Sequence, residues 1–156
     1  MEKTLIILKP DALQRGLAGR IVARFEDKGF QILALKMMHV SRELAERHYA
    51  VHKGKPFYPR LMTYITSSPV IVMVLQANNA IAVARKMMGA TFGSNAEPGT
   101  IRGDFGLSNS FNLIHGSDSP AAAETEIALY FKPEDLITYQ RANERWIYDF
   151  SGPQPE

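Results

Sequence analysis

The sequence predicts an α/β sandwich, a sheet with helices packed against it, and three observations carry that reading. Short aliphatic runs alternate with segments whose apolar residues recur at helical spacing, in the order strand, helix, strand, helices, strand, helix, strand, helix. Glycine, proline and capping serines fall at the junctions between them. The chain has 156 residues, 46% of them hydrophobic, which is enough for one core and one domain over 1–156, with its last residues expected to fray.

Thr4 to Leu8 is rich in β-branched and aliphatic residues and is stopped by Lys9-Pro10-Asp11, so it reads as a buried strand opening into a loop. Ile21, Val22 and Phe25 recur at helical spacing before Gly29, a helix C-terminal residue, and Phe30 to Val40 reads as a second strand. Ser41 is a natural cap for a helix carrying Leu44, Ala45, His48 and Tyr49. Lys53-Gly54-Lys55-Pro56 breaks that pattern, a short helical piece spans Pro59 to Thr66, and Pro69 introduces a third strand, Val70 to Leu75.

Asn79 is placed to cap a helix through Ile81, Val83, Arg85 and Met88 that ends at Gly89, and Ala90 to Thr100 reads as a long loop of the kind that more often serves function. A fourth strand, Asn112 to His115, passes through Gly116-Ser117-Asp118 to Ser119-Pro120, a cap followed by proline in the first turn of a helix reaching about Tyr130. This order fits a split βαβ sandwich of ferredoxin-like type, and a small doubly wound sheet fits the spacing as well.

The bulk properties narrow the chemistry. The longest apolar run, Val70 to Leu75, is far short of the roughly 20 residues of a membrane span, and the N-terminus has no signal-peptide layout, so a cytoplasmic location is expected. The absence of cysteine removes disulfides, thiolate nucleophiles and sulfur-based zinc sites. Eighteen Lys plus Arg against sixteen Asp plus Glu leave a net charge of +2 without a basic run, which suits a small polyanion better than a nucleic acid.

His115 closes a strand and is followed by Gly, Ser and Asp just before a helix N-terminus, where free N–H groups and the helix dipole favour an anion. A neutral imidazole there is nucleophilic and can hold a phosphoryl group in a reactive N–P bond. Glu126 lies on the next helix on one stripe with Ala122, Ala123 and Tyr130, where a half-buried carboxylate can accept from one imidazole nitrogen and leave the other free. Lys9, Arg85 and Arg102 are the cations best placed for phosphates, with the Thr91 hydroxyl and the Asn112 amide as further polar contacts. Tyr49 and Phe57 can flank a planar base. His39, His48 and His52 show no arrangement that demands a metal and read as structural or solvated, and neither standard glycine-rich phosphate loop is present.

Four segments are more specific than any general rule: Thr4-Leu5-Ile6-Ile7-Leu8-Lys9-Pro10-Asp11, Gln14-Arg15-Gly16-Leu17, Pro98-Gly99-Thr100-Ile101-Arg102-Gly103-Asp104-Phe105 and Asn112-Leu113-Ile114-His115-Gly116-Ser117-Asp118-Ser119. In order and spacing, to about residue 150, the chain resembles the nucleoside diphosphate kinases. The resemblance implies a ferredoxin-like βαββαβ sandwich with an antiparallel four-stranded sheet, assembled as a homo-oligomer, a hexamer or a tetramer. It implies ping-pong transfer of a terminal phosphate from a nucleoside triphosphate to a nucleoside diphosphate through a phosphohistidine at His115. Lys9, Tyr49, Phe57, Arg85, Thr91, Arg102 and Asn112 match the family's nucleotide-binding positions, with Phe57 on the base and Thr91, Arg85 and Arg102 on phosphates. The same resemblance implies that Lys9 and Asn112 fall near the phosphate chain and ribose and that Glu126 and Ser117 orient His115. Magnesium is expected to ride on the nucleotide phosphates rather than in a protein cage.

Three sites depart from the pattern: Ser110-Phe111 where most members have Gly-Arg, Phe92-Gly93 where they have Asn-Pro, and Ala12 where glycine is common. None replaces a residue assigned to chemistry. Two other classes compete, a regulator that binds nucleic acid and a structural oligomer with a vestigial site. The first lacks a basic cluster, and the second is disfavoured because every catalytic position holds the expected residue type.

Overall fold

A computed structural model describes residues 1–156. Four strands, β1 (Glu2–Leu8), β2 (Gln31–Met38), β3 (Val70–Ala77) and β4 (Ile114–Gly116), form one sheet in the order β2-β3-β1-β4, with every neighbouring pair antiparallel. This is the antiparallel βαββαβ arrangement, and the doubly wound alternative is excluded because no two neighbouring strands run parallel. The helices are α1 (Pro10–Gln14), α2 (Ala18–Asp27), α3 (Arg42–His48), α4 (Tyr58–Ile65), α5 (Ala80–Met88), α6 (Ile101–Phe105) and α7 (Pro120–Tyr130).

The strand alternation builds two cores. Ile6 and Leu8 of β1, with Met73 and Leu75 of β3, face Ile21 and Phe25 of α2 and Ala84 and Met88 of α5. Leu5 and Ile7, with Val72 and Val74, face Ala45 of α3, Met62 and Ile65 of α4 and Tyr130 of α7. Burial on both faces explains why β1 and β3 read as unbroken aliphatic runs rather than as alternating ones. Leu33 is the extra residue of a bulge between β2 and β3, a local kink that leaves its side chain buried in the second core.

Most boundaries follow their caps. The Ser41 hydroxyl accepts from Leu44 N at 3.1 Å and the Ser119 hydroxyl from Ala122 N at 3.2 Å, with Pro120 opening α7. Gly89 ends α5 at φ +82°, and a Cβ there would collide with the Thr100 side chain. The expected Asn79 cap is corrected: Asn79 is left-handed at φ +50° with no capping bond, and the Glu2 carboxylate accepts from Ile81 N at 2.8 Å instead. The fourth strand begins at Ile114 rather than Asn112, because Leu113 turns to φ +70° and interrupts the extended chain. The second strand is trimmed to Gln31–Met38, and α1 and α6, five residues each, were not expected.

Candidate active site

The register of β4 on β1 decides where the site lies. His115 pairs with Ile7, and directly opposed residues of an antiparallel pair share a face, so the imidazole lies on the side of the sheet covered by α3, α4 and α7. The side chain is 20% exposed, enough for a ligand to reach it. Glu126, on the second turn of α7, brings Oε2 to 3.1 Å from His115 Nε2. The Ser117 hydroxyl donates to the same oxygen at 2.6 Å and accepts from Leu5 N at 3.2 Å, which ties the carboxylate to the central strand. Burial of Glu126 works against its charge, but the hydrogen bonds from His115 and Ser117 hold its pKa below the usual carboxylate value. Glu126 is therefore an acceptor that fixes one face of the imidazole and leaves Nδ1 unengaged by it.

A second group forms where β1 ends. Lys9 is buried, its Nζ donates to Asn112 Oδ1 at 2.7 Å, and Asn112 Nδ2 donates to Thr91 O at 3.1 Å. Burial, and then the neighbouring Arg102 charge, lower the Lys9 pKa to about 7, against a smaller raising effect of Asp11. Arg102 is buried at the start of α6, where Nε donates to Asn112 O at 3.1 Å, Nη1 to Gly89 O at 3.0 Å and Nη2 to Ile114 O at 2.6 Å. Arg85 is exposed on α5 and reaches Gly116 O at 3.3 Å. Tyr49 is buried with its ring 6.2 Å from that of His115. Phe57, 49% exposed, joins the cluster through His52, whose ring lies 5.3 Å from Phe57 and 6.2 Å from Tyr49.

The sequence reading missed what holds the turn in front of His115. Leu113 sits at φ +70° in a three-residue turn closed by Ile114 N donating to Asn112 O at 2.8 Å, a conformation that costs a non-glycine residue about 1–3 kcal/mol. Asp11 restrains it: Oδ2 accepts from Leu113 N at 3.2 Å and Oδ1 accepts from the Tyr64 hydroxyl, while Lys9 N donates to Leu113 O at 2.8 Å. Phe111, one of the departures noted above, packs its ring 5.0 Å from Tyr64. The turn displays Asn112 on one side and His115 on the other, so its geometry sets their spacing. Asp11→Ala should lower stability by about 2 kcal/mol, and the loss should shrink by about 1 kcal/mol when Leu113→Gly relieves the φ cost. Urea melts of the four proteins of this cycle check it, and strict additivity would show that Asp11 does not restrain the turn.

His48 also requires a correction. The sequence offered no histidine or carboxylate arrangement around it, yet α3 brings its ring 4.6 Å from that of His115 and its Nε2 3.8 Å from Glu126 Oε1. The only signal was its place on the apolar stripe of α3 with Leu44 and Ala45, which foretells burial but not the neighbour.

A histidine held by a half-buried carboxylate, with Arg102 and Arg85 bonded to the backbone carbonyls of the residues on either side of it and a buried lysine where β1 ends, is an arrangement suited to phosphate chemistry. The family model described as nucleoside diphosphate kinase matches residues 2–136. The chain belongs to the nucleoside diphosphate kinase family. A nucleoside diphosphate kinase of Desulfitobacterium hafniense is 58% identical over 147 residues, 94% of this chain and 99% of that one. One of Pelotomaculum thermopropionicum is 55% identical over 149 residues, covering 96% of this chain and all of its own. The structure of a halophilic nucleoside diphosphate kinase from Halobacterium salinarum, in complex with CDP, superposes with a TM-score of 0.93 at 46% identity, covering 95% of this chain and 99% of that one. A family member from Babesia bovis superposes at 0.91 with 43% identity, covering 95% of this chain and all of its own. As a nucleoside diphosphate kinase, the chain is a phosphotransferase that moves phosphate between nucleotides.

Proposed function

We propose that this kinase works by ping-pong transfer through a phosphohistidine at His115, and the observation that carries the reading is the 3.1 Å contact between His115 Nε2 and Glu126 Oε2. With Nε2–H donated to the carboxylate, the lone pair resides on Nδ1. Nδ1 attacks the terminal phosphorus of a nucleoside triphosphate, the P–O bond to the diphosphate breaks, and the diphosphate leaves with the electron pair. The positive charge that develops on the imidazole is met by Glu126, which Ser117 holds in place. A second nucleoside diphosphate then attacks the phosphohistidine with a terminal oxygen and restores the neutral ring.

Arg85, Arg102 and Thr91 serve the phosphates, Lys9 and Asn112 the phosphate chain and ribose, Tyr49 the wall beside His115 and Phe57 the base. Mg2+ enters as part of the nucleotide substrate. The carboxylate beside His115 already faces Ser117 and the imidazole and makes no octahedral oxygen cage. The half-exposed Phe57 ring offers a face without reading a base edge, so base choice is loose. The physiological task is maintenance of nucleoside and deoxynucleoside triphosphate pools in the cytoplasm. The working form is a single-domain chain assembled into a homo-oligomer, a hexamer or a tetramer, with no requirement for nucleic acid. No helix is long and apolar enough to cross a membrane. Exposed Leu35 and Met37 on the edge strand β2 support a subunit contact.

Initial rates with ATP as donor and ADP-free GDP, CDP, UDP and their deoxy forms as acceptors test the reading. Parallel double-reciprocal lines and comparable rates across bases are expected; intersecting lines, or strict choice of one base, would contradict it.

The Lys9 pKa of about 7 gives a pH prediction. A phosphate beside Lys9 favours the charged form and raises that pKa, so binding above pH 7 takes up a proton and weakens as pH rises. Calorimetry in two buffers of different ionisation enthalpy should show proton uptake at pH 8 in the wild type and none in Lys9→Arg, whose guanidinium stays charged. Equal uptake in both would remove Lys9 as its source.

A further inference from the structure

Beside the imidazole of His115 lies a second histidine that the transfer reaction leaves unused. His48 closes α3, and its side chain is 1% exposed. Its Nδ1 is 3.0 Å from the Tyr130 hydroxyl, whereas its Nε2 is buried without a hydrogen-bond partner, 3.8 Å from Glu126 Oε1. Glu126 Oε2 already faces Ser117 and His115, so Oε1 is the oxygen turned to His48. One nitrogen from each imidazole and a carboxylate oxygen thus lie within 4.8 Å of one another. Tetrahedral zinc bonds of about 2.0–2.2 Å set neighbouring ligand atoms roughly 3.3 Å apart, so these three atoms reach a shared centre by small side-chain shifts.

We propose that His48 Nε2, His115 Nε2 and Glu126 form a binding site for a divalent transition-metal ion of the zinc type, and that its occupancy switches phosphate transfer off. Two imidazoles and a carboxylate suit such an ion and leave a coordination position for water. With Nδ1–H of His48 donated to the Tyr130 oxygen, the Nε2 lone pair is the one presented, and Tyr130 supplies the outer partner that orients a metal-binding histidine. Mg2+ is harder, prefers oxygen and keeps its waters, and does not compete here.

The inhibition follows from the tautomer. In the transfer-ready ring the proton is on Nε2 and the lone pair on Nδ1. A metal on Nε2 displaces that proton to Nδ1, the atom that must attack, and draws Glu126 away from its orienting contact. This consequence rests on the phosphohistidine reading, whereas the binding does not.

Equilibrium dialysis of the unphosphorylated protein against Zn2+ without nucleotide, beside His48→Gln, separates the two. One ion per chain is expected, bound at least about tenfold more weakly by the variant; no binding, or equal affinity, overturns the site. Long-range proton–nitrogen spectra of the wild type make the test independent of how the variant folds. Zn2+ should move the Nε2 signals of His48 and His115 and leave those of His39 and His52 in place; the opposite pattern overturns the site. Transfer assayed at fixed Mg-nucleotide should fall at the Zn2+ concentrations that fill the wild-type site and require at least about tenfold more in His48→Gln. A filled site with full activity would overturn the switch.

Discussion

Replacing His115 by alanine is expected to lower the rate of phosphate transfer by at least about 10⁴-fold, since on the proposed mechanism it removes the covalent nucleophile, which has no substitute in its neighbourhood. The residue closest in kind, His48, cannot take over, because its ring is 1% exposed and its Nδ1 already meets Tyr130. Stability should change by less than about 1 kcal/mol, as His115 is partly exposed and contributes one contact to Glu126. Steady-state rates and thermal melting of the purified variant check both halves. A rate within tenfold of wild type would remove His115 from the chemistry, and a large fall in melting temperature would make the rate loss uninformative.

The second large effect is expected at Glu126. Glu126→Gln keeps the size of the side chain, but its amide nitrogen competes with the oxygen for the place opposite His115, and an N–H turned to the ring imposes the tautomer with the proton on Nδ1. The rate should fall about 10²–10⁴-fold with nucleotide affinity nearly unchanged, because in the proposed mechanism the carboxylate acts on the imidazole and not on the substrate. Ser117→Ala should cost less, on the order of tenfold, since Glu126 retains His115 when one of its two donors to Oε2 is lost. Rapid-quench measurement of the first turnover distinguishes them. A Glu126→Gln protein that phosphorylates at the wild-type rate would show that the 3.1 Å contact is structural only.

Much of this site could be read from the chain, and what escaped has physical reasons. Strand β1 declared itself through five consecutive aliphatic or β-branched residues, and α7 through Ser119-Pro120, because in both the local chemistry agrees with the final packing. The helical stripe that carries Glu126 offered His115 a half-buried carboxylate only if the stripe faced inward, and the 2.6 Å and 3.1 Å contacts show that it does. Helices α1 and α6 escaped because five residues hold too little of a 3.6-residue period to show one. The start of β4 was misplaced for a different reason. Nothing about Leu113 itself signals φ +70°; the conformation is imposed by Asp11, Tyr64 and Lys9, residues that only the folded sheet brings to it. His48 meets Glu126 and His115 across the interface of three separate elements, and no local pattern carries that information. Arg102 was read as a phosphate ligand, while its burial and its three bonds to backbone carbonyls, two tying α6 to the turn before His115 and one to the end of α5, became visible only in the fold.

The central claim is that phosphate passes through Nδ1 of His115. The most direct measurement is to mix the purified protein with Mg2+ and γ-labelled ATP, remove the nucleotide and take the phosphorus spectrum and label content of the isolated protein. One acid-labile, base-stable phosphate on the Nδ1 position, lost on addition of GDP with formation of labelled GTP and absent in His115→Ala, is the predicted result; an active protein that carries no phosphate, or carries it on Nε2, would contradict the account.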